Sequence, residues 1–392
     1  MKLNQHLKEW KKVLSSKFPN LSLPQVSGLA TWSLGMVMTQ SSSLSRISTL
    51  IAQINQESEN TARQRLKEWY KEGTAKAKKG NKRVSLEVRQ CFAPLLRWMM
   101  ELHPKNTREL FMALDATTLG TKFTVLSINV LYHGSAVPVA WKVIQATQKS
   151  RWKPYWQELL RALKEIVPPH DKVILSADRG VYAHWLFTEI VQLGWHPFLR
   201  INHHRGQYQP AGSTSWHPLA CVVDSTTRHW SGQVTCFPSN PLNCCLLARW
   251  DEGYADPWLI VTDLPAADAS IHGYGFRCWI ECSYRDLKSD GWRWGKTRVQ
   301  SPERAERYWL AMAVALLWMI SCGRELERVE TEGFEEDSTP SPPSTHPRQL
   351  SCFVQGLLTI LGRLLTHQSL GLESLFPLPS QLSSPSLVFN SS

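Results

Sequence analysis

The chain has 392 residues, 44 Lys+Arg against 33 Asp+Glu, a net charge of +11 and 43% hydrophobic residues, a balance that excludes a wholly disordered chain. At about 150 residues per domain, its length suggests two or three folding units. No run of eighteen apolar residues supports a membrane span, the first ten residues lack a secretory core, and nine irregularly spaced cysteines favour free thiols in a reducing compartment.

Residues 1–107 read as a basic helical region. Leu44, Ile47, Leu50, Ile51 and Ile54 recur at three- and four-residue steps, as a buried helical stripe does. A polar turn over 55–60 precedes a second helix, Thr61 to Lys71, that carries Arg63, Arg65, Lys67 and Lys71. Helix, turn and basic helix resemble a helix-turn-helix reader of double-stranded DNA. The following loop adds Lys78 and Lys79 to the candidate phosphate contacts. Charge follows the same division. Residues 1–110 hold 19 Lys+Arg and 8 Asp+Glu (+11), 111–330 hold 23 and 20 (+3), and 331–392 hold 2 and 5 (−3). The entire net charge equals that of residues 1–110, which points to a polyanion-binding part joined to a nearly neutral body.

From residue 108 the texture becomes α/β. Leu110 to Leu114 reads as a buried strand closed by Asp115, followed by strands over 123–131 and 136–143, a meander with turns at Gly120 and His133-Gly134. A helix over 151–167 ends at Pro168-Pro169, and a fourth strand, 173–177, is closed by Asp178. A helix over 185–193 and a strand over 196–201 complete a mixed sheet. Residues 202–265 read as a β-rich insertion, 273–288 as a helix, and 302–327 as a long buried helix. The acidic, Pro/Ser-rich stretch 331–350 reads as a flexible linker, and 351–392 as an amphipathic helix followed by a disordered tail. The helix over 351–366 offers either a subunit-pairing face or a face for its own core.

The chemistry resides in acids. A right-handed α/β arrangement sets the first and fourth strands side by side, which brings Asp115 and Asp178 together. Two close carboxylates repel, and a hard divalent ion relieves the repulsion. On an ideal helix Tyr274, Arg277, Glu281 and Lys288 fall within an arc of about 60°, with Arg285 about 40° beyond Glu281. Phe276, Ile280, Tyr284 and Leu287 form a separate apolar arc. Intrahelical ion pairing on a solvated face is the plain alternative for the charged side. Cys244-Cys245 and the pair Cys278 and Cys282 lack a second zinc-finger pair and read as free cysteines, and His203-His204 reads as a loop marker.

The spacing Tyr274-x₂-Arg277-x₃-Glu281-x₆-Lys288 resembles the signature of transposases of the insertion-sequence-four family, a branch of the DDE transposases. Asp115 in Leu114-Asp115-Ala116-Thr117-Thr118 resembles the family's first catalytic Asp, and Asp178 in Ala177-Asp178-Arg179-Gly180 its second. The resemblance implies a ribonuclease-H-like fold interrupted by the insertion, with residues 108–330 as the catalytic domain. It also implies that Asp115, Asp178 and Glu281 bind two Mg²⁺ or Mn²⁺ ions for DNA cleavage, through hairpin ends, and strand transfer. Tyr274, Arg277 and Lys288 are then phosphate contacts, with Arg285 and Arg179 beside them. The expected partners are element ends and target DNA and a second copy in a synaptic homodimer, with no membrane and no small-molecule substrate. The expected location is prokaryotic cytoplasm, at the nucleoid when DNA-bound. A metal-dependent nuclease or resolvase without strand joining, and a non-catalytic DNA-binding derivative, are the rival readings.

Overall fold

The computed structural model describes residues 3–76, 84–103, 109–148, 152–169, 172–332 and 350–376. Lys78, Lys79, the linker over 333–349 and the tail over 377–392 lie outside the described residues. Helices α1 (Leu3–Lys17), α2 (Leu23–Thr39), α3 (Leu44–Asn55), α4 (Glu59–Tyr70) and α5 (Phe92–Glu101) come first, and α5 runs into the sheet region. Strands β1 (Glu109–Leu119), β2 (Phe123–Tyr132) and β3 (Ser135–Gln145) follow, then α6 (Lys153–Lys164), β4 (Lys172–Ala177), α7 (His184–Gln192) and β5 (His196–Arg200). Next are β6 (Gln207–Pro210), β7 (His217–Pro218), β8 (His229–Cys236), β9 (Leu242–Arg249) and β10 (Trp258–Thr262). The chain closes with α8 (His272–Gly275), α9 (Trp279–Arg285), α10 (Pro302–Glu332), α11 (Cys352–Leu365) and α12 (Leu372–Leu375). Two compact units result: residues 99–285, and residues 1–98 together with 286–392. These divisions differ from boundaries at 107 and 330, because α10 belongs with the N-terminal helices.

In the sheet unit, ten strands form one sheet in the order β3-β2-β1-β4-β5-β10-β9-β8-β6-β7. The meander β1-β2-β3 is antiparallel, and β4 and β5 run parallel to β1. This is the five-strand arrangement expected of a ribonuclease-H-like core. Residues 202–265 are β-rich as anticipated, but they extend the core sheet: β10 pairs antiparallel with β5 and β9 with β10. Strand β1 also continues four residues past Asp115, paired with β2 to Leu119↔Phe123, so that acid sits within a strand and not at its end. Every residue of β2 is buried, as befits a strand covered on both faces.

In the helical unit, α3 and α4 form the expected helix-turn-helix-like pair. The second helix begins two residues early because Ser58 caps it, accepting from Thr61 N. Helix α2 approaches α4 closely at Gly28, where a Cβ would lie 2.0 Å from the Trp69 ring. Every residue of α10 from Tyr308 to Ile320 is buried, with Trp318 stacked on Trp10 at 4.5 Å. The length and apolarity of α10 are therefore those of a core helix. The apolar face of α11 rests on α10 at Gly356, where a Cβ would lie 1.8 Å from the Met319 carbonyl oxygen. Its buried residues Phe353, Leu357 and Ile360 serve its own core, while Leu358 stays exposed.

Candidate active site

The parallel pairing of β1 with β4 ends at Leu114↔Ala177. Asp115 and Asp178 are the next residue on each strand, so adjacent strands carry the two acids at one level, a strand spacing of about 4.8 Å apart. Each carboxylate commits one oxygen to the backbone. Asp115 Oδ1 accepts from Ala116 N at 2.8 Å, and Asp178 Oδ1 accepts from Gly180 N at 2.9 Å and Val181 N at 3.1 Å. A Cβ at Gly180 would stand 3.3 Å from Asp178 Oδ1, so glycine lets that amide close in. The other oxygens, Asp115 Oδ2 and Asp178 Oδ2, each lie 3.5 Å from the same atom, Arg277 Nη2. Arg277 Nη1 meets Glu281 Oε1 at 3.1 Å. Three acids from two strands and a helix thus converge on one guanidinium.

That convergence tests whether divalent ions fit. Oxygen-only donors around a buried positive charge are the set that a hard cation takes. Arg277 Nε has no hydrogen-bond partner, so the guanidinium is not tied in place on every side. Burial pushes the Asp115 carboxyl up to about 6, with Arg277 only partly offsetting it. A carboxylate so strained gains from further positive charge, and the residues fit the metal.

Helix α9 is docked by its apolar side: Ile280 and Tyr284 are buried. Two buried bonds that the sequence did not suggest fix it further. Ser283 Oγ accepts from Ala136 N at 2.6 Å, and Tyr284 OH bonds Ser127 Oγ at 2.6 Å. Ser127 lies directly across from Asp115 in the β1-β2 register and also accepts from Asn129 Nδ2 at 3.0 Å. Alternation along β2 was the one available signal for Ser127 and Asn129, two polar residues spaced to share a face.

The expected single helix over 273–288 is broken. After α8, residues 276–278 wind as a 3₁₀ turn, and residues 286–290 as a π turn beyond α9. A 3₁₀ turn advances about 120° per residue instead of 100°, which rotates Tyr274 by about 60° relative to Glu281. Tyr274 accordingly packs in an apolar cluster with Ile174, Phe198 and Ile260, and burial raises its hydroxyl to about 12. Its hydroxyl nevertheless stays within the electrostatic reach of Arg277, Asp178 and Asp115. Glu281 and Arg285 are exposed, and Lys288, partly exposed, belongs to the helical unit. Arg179 is held by Asp256 at 3.0 Å. In the helical unit, Arg63 donates to Ser45 Oγ at 3.1 Å, Arg65 pairs with Glu57, and Lys67 is partly exposed.

Residues 106–318 match the family described as Transposase DDE domain, a span that covers more than half of the chain. The chain belongs to that family. It is a DNA transposase by family, of a class of DNA-cleaving, metal-dependent enzymes, and the DDE-domain span includes all three acids. No match is found among curated proteins. Among solved structures, a cryo-EM structure of the piggyBac transposase synaptic complex with hairpin DNA matches at a TM-score of 0.41 and 10% identity, over 98% of this chain and 80% of that one.

Proposed function

We propose that the protein is a transposase of the insertion-sequence-four type, which cuts the ends of its element and joins them to target DNA. The supporting observation is the approach of Asp115 Oδ2 and Asp178 Oδ2 to one Arg277 nitrogen, with Glu281 on the other. Asp115, Asp178 and Glu281 would hold Mg²⁺ or Mn²⁺, two ions per site in this reading. Bound there, the ions supply the positive charge that activates an attacking water or 3′-hydroxyl and stabilises the leaving 3′-oxygen. Gly180 N and Val181 N keep Asp178 aimed, and Ala116 N does so for Asp115. With metal on the acids, Arg277 would be free to hold a phosphate of the strand being cut, and Arg285 and Arg179 would extend that grip; Lys288 is a further candidate phosphate contact. Tyr274, packed among apolar side chains with its hydroxyl within reach of the Arg277 charge, would hydrogen-bond a phosphate beside it. The basic helices α3 and α4, with Arg63, Arg65 and Lys67, hold the end sequence. Hairpin-ended intermediates, a synaptic homodimer and action at the nucleoid of a prokaryotic cell complete the reading.

The test supplies purified protein with Mg²⁺ and a duplex that carries the element's terminal repeats. Hairpin ends and strand-transfer products are expected, and Asp178→Ala should lower cleavage by roughly two orders of magnitude or more, the several kcal/mol that metal positioning contributes. Cleavage without joining would make the protein a nuclease or resolvase. Undiminished cleavage by Asp178→Ala would remove these acids from the chemistry.

A further inference from the structure

Outside the three acids, one group of potential metal ligands among the described residues has all its donor atoms within 4.8 Å of one another: His203, His204 and Asp256. The sheet explains how residues fifty apart come to meet. Strands β5 and β10 pair as Arg200↔Ile260 and Leu199↔Val261, and the ladder continues as Ile201 N donates to Leu259 O at 2.9 Å. The same register, carried past the strand ends, sets His204 opposite Asp256. His204 N donates to Asn202 Oδ1 at 2.9 Å, which fixes the turn that presents both imidazoles.

The donor geometry is divided between two jobs. Asp256 Oδ2 is taken by Arg179 Nη1 at 3.0 Å. Asp256 Oδ1 faces His204 Nε2 at 3.6 Å and His203 Nε2 at 3.9 Å. Neither separation is a hydrogen bond. A tetrahedral ion with bonds of about 2.0–2.1 Å holds neighbouring donors about 3.4 Å apart, so both gaps close with shifts of a few tenths of an ångström. Arg179 bonds the carboxylate oxygen that faces away, the kind of outer contact that orients a ligating carboxylate.

We propose that His203, His204 and Asp256 bind a borderline divalent transition ion, Zn²⁺ foremost, at a site separate from the three acids. Two imidazoles and one carboxylate prefer such an ion to Mg²⁺, which takes oxygen donors. The ion joins the turn after β5 to the loop before β10. Through Asp256 it also holds Arg179, the neighbour of Asp178. The site does not depend on the cleavage reaction proposed above, and its test does not use cleavage.

The full-length protein, stripped with chelator, is titrated with Zn²⁺ against a chromophoric competitor in excess Mg²⁺. One tight Zn²⁺ per chain is expected, with a rise in thermal unfolding temperature. His204→Ala and Asp256→Asn should weaken it by at least about tenfold while the circular dichroism spectrum is unchanged. His204 is exposed, so its removal leaves the fold intact. Co²⁺ in place of Zn²⁺ should give visible bands without the near-ultraviolet absorption of a thiolate ligand, which excludes the cysteines. Unchanged affinity in both variants, a thiolate band, or the absence of stoichiometric Zn²⁺ would each overturn the proposal.

Discussion

At the scale of single residues, Asp115 carries most of the electrostatic stress. Its pKa rises from 3.8 to about 6 because burial outweighs the attraction of Arg277 and the amide of Ala116. A carboxyl whose folded pKa exceeds its unfolded value contributes stability below the unfolded pKa and loses it as pH rises through the folded one. Without divalent ions, that loss falls between about pH 4 and pH 6 and amounts to at most about 3 kcal/mol. Asp115→Asn removes the titration and retains a polar side chain. In chelator the variant should melt a few degrees above the wild type at pH 8 and match it at pH 4. Mg²⁺ should narrow the gap at pH 8 by stabilising only the wild type. Thermal unfolding followed by circular dichroism at the two pH values checks this, and an equal gap at both would show that Asp115 is not strained by its charge.

At the scale of elements, strands were more legible than the helix that completes the site. Apolar runs ending in Asp115 and Asp178 announced β1 and β4, and the chirality of α/β connections placed them side by side. Helix α9 was legible in its apolar arc, yet the face drawn for Tyr274 assumed uniform winding. The 3₁₀ turn over 276–278 interrupts that winding between α8 and α9, and the Tyr274 ring packs among apolar side chains. The partnership of His203 and His204 with Asp256 was illegible for another reason. It depends on β10 pairing with β5, and no local pattern announces which strand extends a sheet. What fixes α9 is now specific: Ser283 on the β3 backbone and Tyr284 on Ser127, behind Asp115. Tyr284→Phe should cost about 1–2 kcal/mol for the lost buried bond and loosen Glu281. Cleavage by the variant should then need several-fold more Mg²⁺ for half-maximal rate, with the rate at saturation largely retained. An unchanged Mg²⁺ midpoint, with only the stability lowered, would limit Tyr284 to packing.

At the scale of the molecule, the charge partition and the fold divide the chain differently. By charge, residues 1–110 stand apart, which invites the picture of a separable DNA-binding domain. By packing, they do not. Helix α10, two hundred residues further on, fills the core against which α1, α2 and α4 rest. Trp318 stacks on Trp10, the Tyr308 hydroxyl bonds the Ser42 carbonyl, and Arg304 grips Glu72 through Nη2 at 2.8 Å. Arg307 adds bonds to the Leu86 and Tyr70 carbonyls. A basic patch can be read from composition because charge is additive along the sequence. The partner of an apolar face cannot, because α10 is distant in the chain and its own pattern is apolar all round. The consequence is measurable. A fragment of residues 1–107 leaves Trp10 without Trp318 and Trp32 without Tyr308, an apolar exposure worth about 25 cal/mol per Å². Expressed alone, it should show reduced helicity, bind a hydrophobic dye and melt without a cooperative transition. Addition of residues 286–392 in trans should restore helicity and a sharp transition. A fragment 1–107 that melted cooperatively by itself, and held DNA with the salt dependence of the whole chain, would show instead that charge, and not packing, marks the working unit.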